Sequence, residues 1–133
     1  RNEEHYLERY PGDAYVDLLG FDTYHRNAPT SDSSFVANAK RMVGTIKKLG
    51  IDKNKLFAIT ETGLEKVAEP EWWTKILYPI IEESTLSYVL VWRNGRPDHF
   101  YAPFKGQESE ADFIRFYNMP GTLFENDVKN LYK

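Results

Sequence analysis

Cysteine is absent from the 133 residues, which excludes disulfides, thiolate catalysis and Cys-ligated metal while leaving the redox compartment open. A cationic surface is missing as well. Seventeen Lys and Arg stand against twenty Asp and Glu, a net charge of −3, and no basic run is dense enough to track a phosphate backbone. Nucleic acid is not expected as a partner. No apolar run approaches the ~20 residues of a membrane-crossing helix, and the opening Arg1-Asn2-Glu3-Glu4-His5 lacks the form of a signal peptide. The three histidines, His5, His25 and His99, are too far apart to show metal-ligand spacing, so neither a metal nor another cofactor is expected. Repeats, linkers and low-complexity stretches are lacking too, and residues 1–133 are expected to share one core.

What is present is a globular composition with a high aromatic content. Hydrophobic residues make up 41% and charged residues 28%, which argues against disorder. Nine Tyr, eight Phe and three Trp supply flat apolar faces with polar handles, suited both to a core and to a sugar cleft.

The hydrophobic pattern predicts alternating strands and helices. Val16 to Phe21 (VDLLGF) is a short branched apolar run bounded by turn-forming residues, and it reads as a buried strand. Phe35, Val36, Ala39, Met42, Val43, Ile46 and Leu49 recur at helical spacing, with Gly50 as the expected stop. Leu56 to Thr60 (LFAIT) is a second strand. Trp72, Trp73, Ile76, Leu77, Ile80 and Ile81 mark a second helix, with Pro70 near its first turn and Pro79 placed to kink it. Ser87 to Trp92 (SYVLVW) is a third buried strand, and Ser109-Glu110-Ala111-Asp112 has the spacing of a capping box opening a third helix.

This order predicts a parallel α/β sheet with both faces covered. Asp22, Glu61 and Arg93 fall at the C-terminal ends of the three strands, the end that builds the active site of a barrel. A complete barrel needs roughly 250 residues, so the chain is expected to supply only part of one, with the other strands in another segment. An independent three-stranded domain is the competing expectation, but its strands would leave apolar edges unpaired.

YPGDAYVDLLGFDTY (Tyr10 to Tyr24), FAITETG (Phe57 to Gly63), YVLVWRN (Tyr88 to Asn94) and HFYAPFKG (His99 to Gly106) resemble successive landmarks of glycoside hydrolase family 26, the β-mannanase family. The resemblance continues through ADFIRFYNMPGTLFENDV (Ala111 to Val128). It implies a (β/α)₈ barrel of which these are the sixth, seventh and eighth strands, acting on a β-mannan oligosaccharide or polysaccharide outside the cell, in the periplasm or at the cell surface. It also implies a retaining mechanism, in which two carboxyls stand about 5 to 5.5 Å apart. Glu61 matches the nucleophile. The acid/base Glu belongs after the fourth strand, a region with no counterpart here, so this chain alone is expected to be inactive.

Tyr24 matches a tyrosine that contacts the nucleophile and would orient its attacking oxygen. Trp92 resembles the aromatic platform beside the scissile bond, and Arg93 a residue reaching hydroxyls of the next sugar. Asp22 is expected to bind a sugar hydroxyl or to hold Tyr24 and Arg93. Trp72 and Trp73, in register with Ile76 and Ile80, are expected in the core rather than on a sugar, and His25 in a solvated loop. The rival functions are hydrolysis of another β-glycan, such as xylan or mixed-linkage glucan, and a barrel that binds sugar without cleaving it.

Overall fold

Strand β1 (Leu18–His25) and strand β2 (Leu56–Leu64) are both longer than their apolar runs, because each continues through polar residues that the neighbouring strand pairs. The computed structural model describes residues 2–131. A short helix α1 (Glu3–Leu7) precedes β1, α2 (Asp32–Lys53) connects β1 to β2, and β3 (Val89–Val91) completes a parallel sheet in the order β1-β2-β3. Helices α3 (Tyr78–Ile81), α4 (Glu110–Tyr117) and α5 (Glu125–Val128) follow the second and third strands. The predicted parallel α/β order is therefore observed over three strands.

Helix α2 buries Phe35, Ala39, Val43, Ile46 and Leu49, and the first four join Phe21 and Ile59 of the sheet in one core cluster. Gly50 does not end this helix. It lies inside it, and a side chain there would come within 2.7 Å of the Phe57 ring and 2.9 Å of the Lys55 carbonyl. The stop is Asn54, left-handed at φ 53° and ψ 49°, a conformation that Asn tolerates because its short polar side chain bonds locally. Gly50 thus serves close approach rather than termination.

Pro79 shapes the second helical segment as expected of a residue without an N–H. It sits in α3, and the turn just before it, Trp73–Leu77, is a π-helix whose last bond runs from Tyr78 N–H to the Trp73 carbonyl. The ring of Pro79 would crowd the carbonyl four residues back, and the widened turn relieves this. Trp72 and Trp73 are both buried as predicted. Their indole N–H groups donate to His25 Nδ1 and Ser109 Oγ, each at 3.1 Å.

The capping box at Ser109 does not form. Ser109 makes no side-chain cap bond to the helix. Its hydroxyl donates to Gln107 Oε1 while accepting from Trp73. Asp112 instead accepts from the backbone N–H and hydroxyl of Thr74 and from Arg115, tying α4 to the π-turn. A buried carboxylate with these three donors is a strong staple, and it engages Asp112 away from the buried Ser109 backbone N–H, which donates to Gln107 Oε1 instead.

Strand β3 is not buried on both faces, in contrast to the sequence expectation. Leu90 and Tyr88 are exposed, and β3 is an edge of the sheet, with a hydrogen-bonded neighbour strand on one side only among the described residues. β1 is the other edge. There the Tyr6 hydroxyl accepts from the Gly20 N–H and donates to the Gly20 carbonyl, occupying one outward backbone pair that a further strand would otherwise use.

His25 also departs from expectation. It closes β1 at 2% exposure rather than sitting in a solvated loop. It stacks on Phe35 at 4.6 Å. Because Trp72 donates to Nδ1, the ring proton resides on Nε2, which meets Ser31 Oγ at 3.0 Å and Asp32 Oδ1 at 3.2 Å. Burial pushes its pKa below the ordinary 6.5, with the Asp32 charge opposing. The folded state thus favours the neutral ring, so this contribution to stability is present above pH 6.5 and lost as pH falls through the lower folded value. In the protein carrying this segment, thermal unfolding between pH 7 and 5 should lose stability faster than in a His25→Gln variant. Parallel pH profiles for the two would contradict this assignment.

Candidate active site

Simple alternation along β2 would turn Glu61 away from the open face of the sheet. Ala58 pairs with Gly20 and Ile59 with Phe21, and Ile59 packs into the core. Continued alternation would put Thr60 on the Gly20 face and Glu61 on the core face. The register slips at this point, so that Asp22 pairs with Glu61 and Tyr24 with Gly63. Thr60 is the extra residue. The bulge brings Thr60 and Glu61 onto one face together, and a residue re-aimed in this way is a recurrent use of bulges at functional sites.

Tyr24 and Glu61 meet as expected: the Tyr24 hydroxyl donates to Glu61 Oε2 at 2.7 Å. Burial first, then the Glu61 hydrogen bond and charge, hold the phenol well above its ordinary pKa of 10.0, so Tyr24 remains a proton donor at working pH. Asp22 is exposed and accepts from the Thr60 hydroxyl at 2.8 Å, so the expected hold on Tyr24 and Arg93 is not made, while its exposure is compatible with the other expected role, binding a sugar hydroxyl. Thr60 lies on the Gly20 and Asp22 face by alternation alone, and the bulge adds Glu61 to that face.

Trp92 and Arg93 lie just past β3. The Trp92 backbone N–H donates to the Thr62 carbonyl at 2.9 Å, which sets Trp92 beside the strand that carries Glu61. The Arg93 guanidinium stands 5.9 Å from the Trp92 ring centre, within cation–π range. Trp92 is half-buried and Arg93 exposed.

Three further residues complete the surroundings. Tyr101 meets the Tyr24 ring edge-on at 5.6 Å. Asn94 anchors the Tyr101 loop through its side chain, and His99 Nδ1 lies 2.7 Å from Glu65 Oε1. Tyr101 and His99 stand in the HFYAPFKG landmark, but no local spacing links them to Tyr24 or Glu65. Among the described residues, no group of three or more His, Asp or Glu is arranged to hold a metal ion, and no helix is long and apolar enough to cross a membrane.

Comparison with known proteins places a chain that presents this carboxylate and tyrosine from the ends of parallel strands among the glycoside hydrolases. Residues 1–63 match the model of glycosyl hydrolase family 26. A family 26 β-mannanase from Bacteroides ovatus is 43% identical, superposing with a TM-score of 0.91 over 99% of this chain and 38% of its own. An endo-β-1,4-mannanase double mutant from Cellulomonas fimi is 32% identical, with a TM-score of 0.84 over 96% of this chain and 30% of its own. A mannan endo-1,4-β-mannosidase from Bifidobacterium adolescentis is 29% identical over 84% of this chain and 13% of its own length. The chain belongs to glycosyl hydrolase family 26. It spans well under half the length of each of these relatives.

Proposed function

We propose that the protein containing this chain is a retaining endo-β-1,4-mannanase acting on mannan or galactomannan, with Glu61 as its nucleophile. The observation that carries this is the 2.7 Å hydrogen bond from Tyr24 to Glu61 at the end of a parallel strand. The names of the relatives support the substrate class.

In the first step the Glu61 oxygen not held by Tyr24 bonds to the anomeric carbon. The glycosidic C–O bond breaks, and the leaving oxygen takes a proton from a second carboxylic acid. That acid then removes a proton from water, which attacks the anomeric carbon and releases Glu61. The acid/base Glu comes from a segment outside this chain, which supplies the sixth to eighth strands of a (β/α)₈ barrel. Two features support this division: the three strands form an open sheet with β1 and β3 at its edges, and an apolar groove of about 430 Å³ lies beside β3, lined in part by Trp73, Leu77, Val89, Phe116 and Phe124. Trp92 stacks under a sugar ring, while Arg93 and the free Asp22 oxygen bind hydroxyls. A polymer that cannot cross a membrane intact requires the enzyme outside the cell, in the periplasm or on the cell surface.

Initial rates on galactomannan, xylan and mixed-linkage glucan test the substrate, and NMR of the first-formed anomer tests the stereochemistry. Mannan should be cleaved fastest, with the β-anomer appearing first. Faster xylan or glucan cleavage, or an α-anomer appearing first, would reject the assignment.

A further inference from the structure

Tyr24 reaches Glu61 through a single hydroxyl at the tip of a long side chain. Rotation about its side-chain bonds would sweep that hydroxyl away, so something must restrain the ring laterally. The Tyr101 ring, 5.6 Å away and inclined at 65°, is in position to do so.

Tyr101 is itself held from several sides. Its ring lies over Gly63, which the sheet register pairs directly with Tyr24. A Cβ at Gly63 would stand 2.5 Å from Tyr101 Cδ1, and the residue has a φ of 151°. Only glycine combines that backbone with so close a ring. The backbone N–H groups of Tyr101 and Ala102 both donate to Asn94 Oδ1, at 3.0 and 2.9 Å, and Asn94 Nδ2 donates to the Ala102 carbonyl at 3.0 Å. His99 meets the Tyr101 ring edge-on at 5.4 Å and is paired with Glu65. The Lys66 N–H donates to the Phe100 carbonyl at 2.7 Å. The loop after β3 is thereby bonded across the end of β2, with Tyr101 at the point where it touches Tyr24.

We infer that Tyr101 is a positioning residue, which, seated on Gly63 and anchored by Asn94, fixes the Tyr24 ring so that its hydroxyl stays on the Glu61 carboxylate. This rests on the assignment of Glu61 as nucleophile. Tyr101 acts through Tyr24 and not on substrate, so the ring is what counts and its hydroxyl is dispensable.

The test is a double-mutant cycle in the full-length protein with a mannan oligosaccharide. Tyr101→Leu should lower kcat roughly ten- to a hundredfold, as expected for a misplaced reacting group, with KM little changed, and Tyr101→Phe should restore the rate. In a Tyr24→Phe background, Tyr101→Leu should have no further effect, because the hydroxyl it positions is already gone. Full additivity, a loss confined to KM, or an equal loss in Tyr101→Phe would overturn the inference. Asn94→Ala supplies a second route if Tyr101→Leu fails to fold, with the same dependence on Tyr24 expected and additivity again counting against it. Glu61→Ala runs in parallel: retained turnover there would reject the nucleophile itself, whereas an inactive Glu61→Ala with additive Tyr101 effects would reject only the role of Tyr101.

Discussion

Replacing Glu61 with alanine in the full-length protein is expected to lower kcat on mannan by roughly 10⁴- to 10⁶-fold, the range found when a covalent nucleophile is removed. That corresponds to about 5 to 8 kcal/mol of lost transition-state stabilisation. The fold should survive, because Glu61 is only half-buried and its bond to Tyr24 is a single contact, worth about 1 to 3 kcal/mol to stability. Added azide should restore part of the rate by entering the vacated space and bonding to the anomeric carbon as the leaving oxygen departs. The product would be the α-mannosyl azide, since attack comes from the face that Glu61 occupied. Near-normal turnover without azide, or a β-azide, would show that Glu61 is not the nucleophile.

The second large effect is expected at Tyr24. Tyr24→Phe removes one hydrogen bond to a charged oxygen, an interaction worth about 1.5 to 3 kcal/mol, and so should reduce kcat by roughly 10- to 150-fold. KM should change little, because the phenol contacts the nucleophile rather than the sugar. The phenol is held above its ordinary pKa of 10.0 by burial and by Glu61, so it stays protonated through pH 10. The ratio of native to Tyr24→Phe rates should therefore be flat from pH 6 to 9. A ratio that collapses within that range would mean that the hydroxyl titrates and is not the fixed donor described here.

Much of the architecture was legible in short stretches of chain. VDLLGF, LFAIT and SYVLVW each lie within or overlap a strand of the observed sheet, the α2 stripe from Phe35 to Leu49 faces the core, and Trp72 and Trp73 are buried. These features depend on neighbours one to four residues away, so local periodicity carries them. The strand limits were harder, since polar Asp22 to Tyr24 and Glu61 to Gly63 enter strands only because the adjacent strand supplies backbone partners.

The sequence by itself determined that three parallel strands alternate with helices, that Glu61 follows an apolar strand run, and that Tyr24 and Trp92 stand near equivalent ends. Tertiary structure alone decided how these groups face one another. The Thr60 bulge that turns Glu61 toward Tyr24, the burial of His25 against Trp72 forty-seven residues away, the staple from Asp112 to Thr74, and the seating of Tyr101 on Gly63 all join distant parts of the chain. Such choices are settled by competition among packing, register and hydrogen bonding across the whole core, and a window of neighbouring residues holds only one side of each.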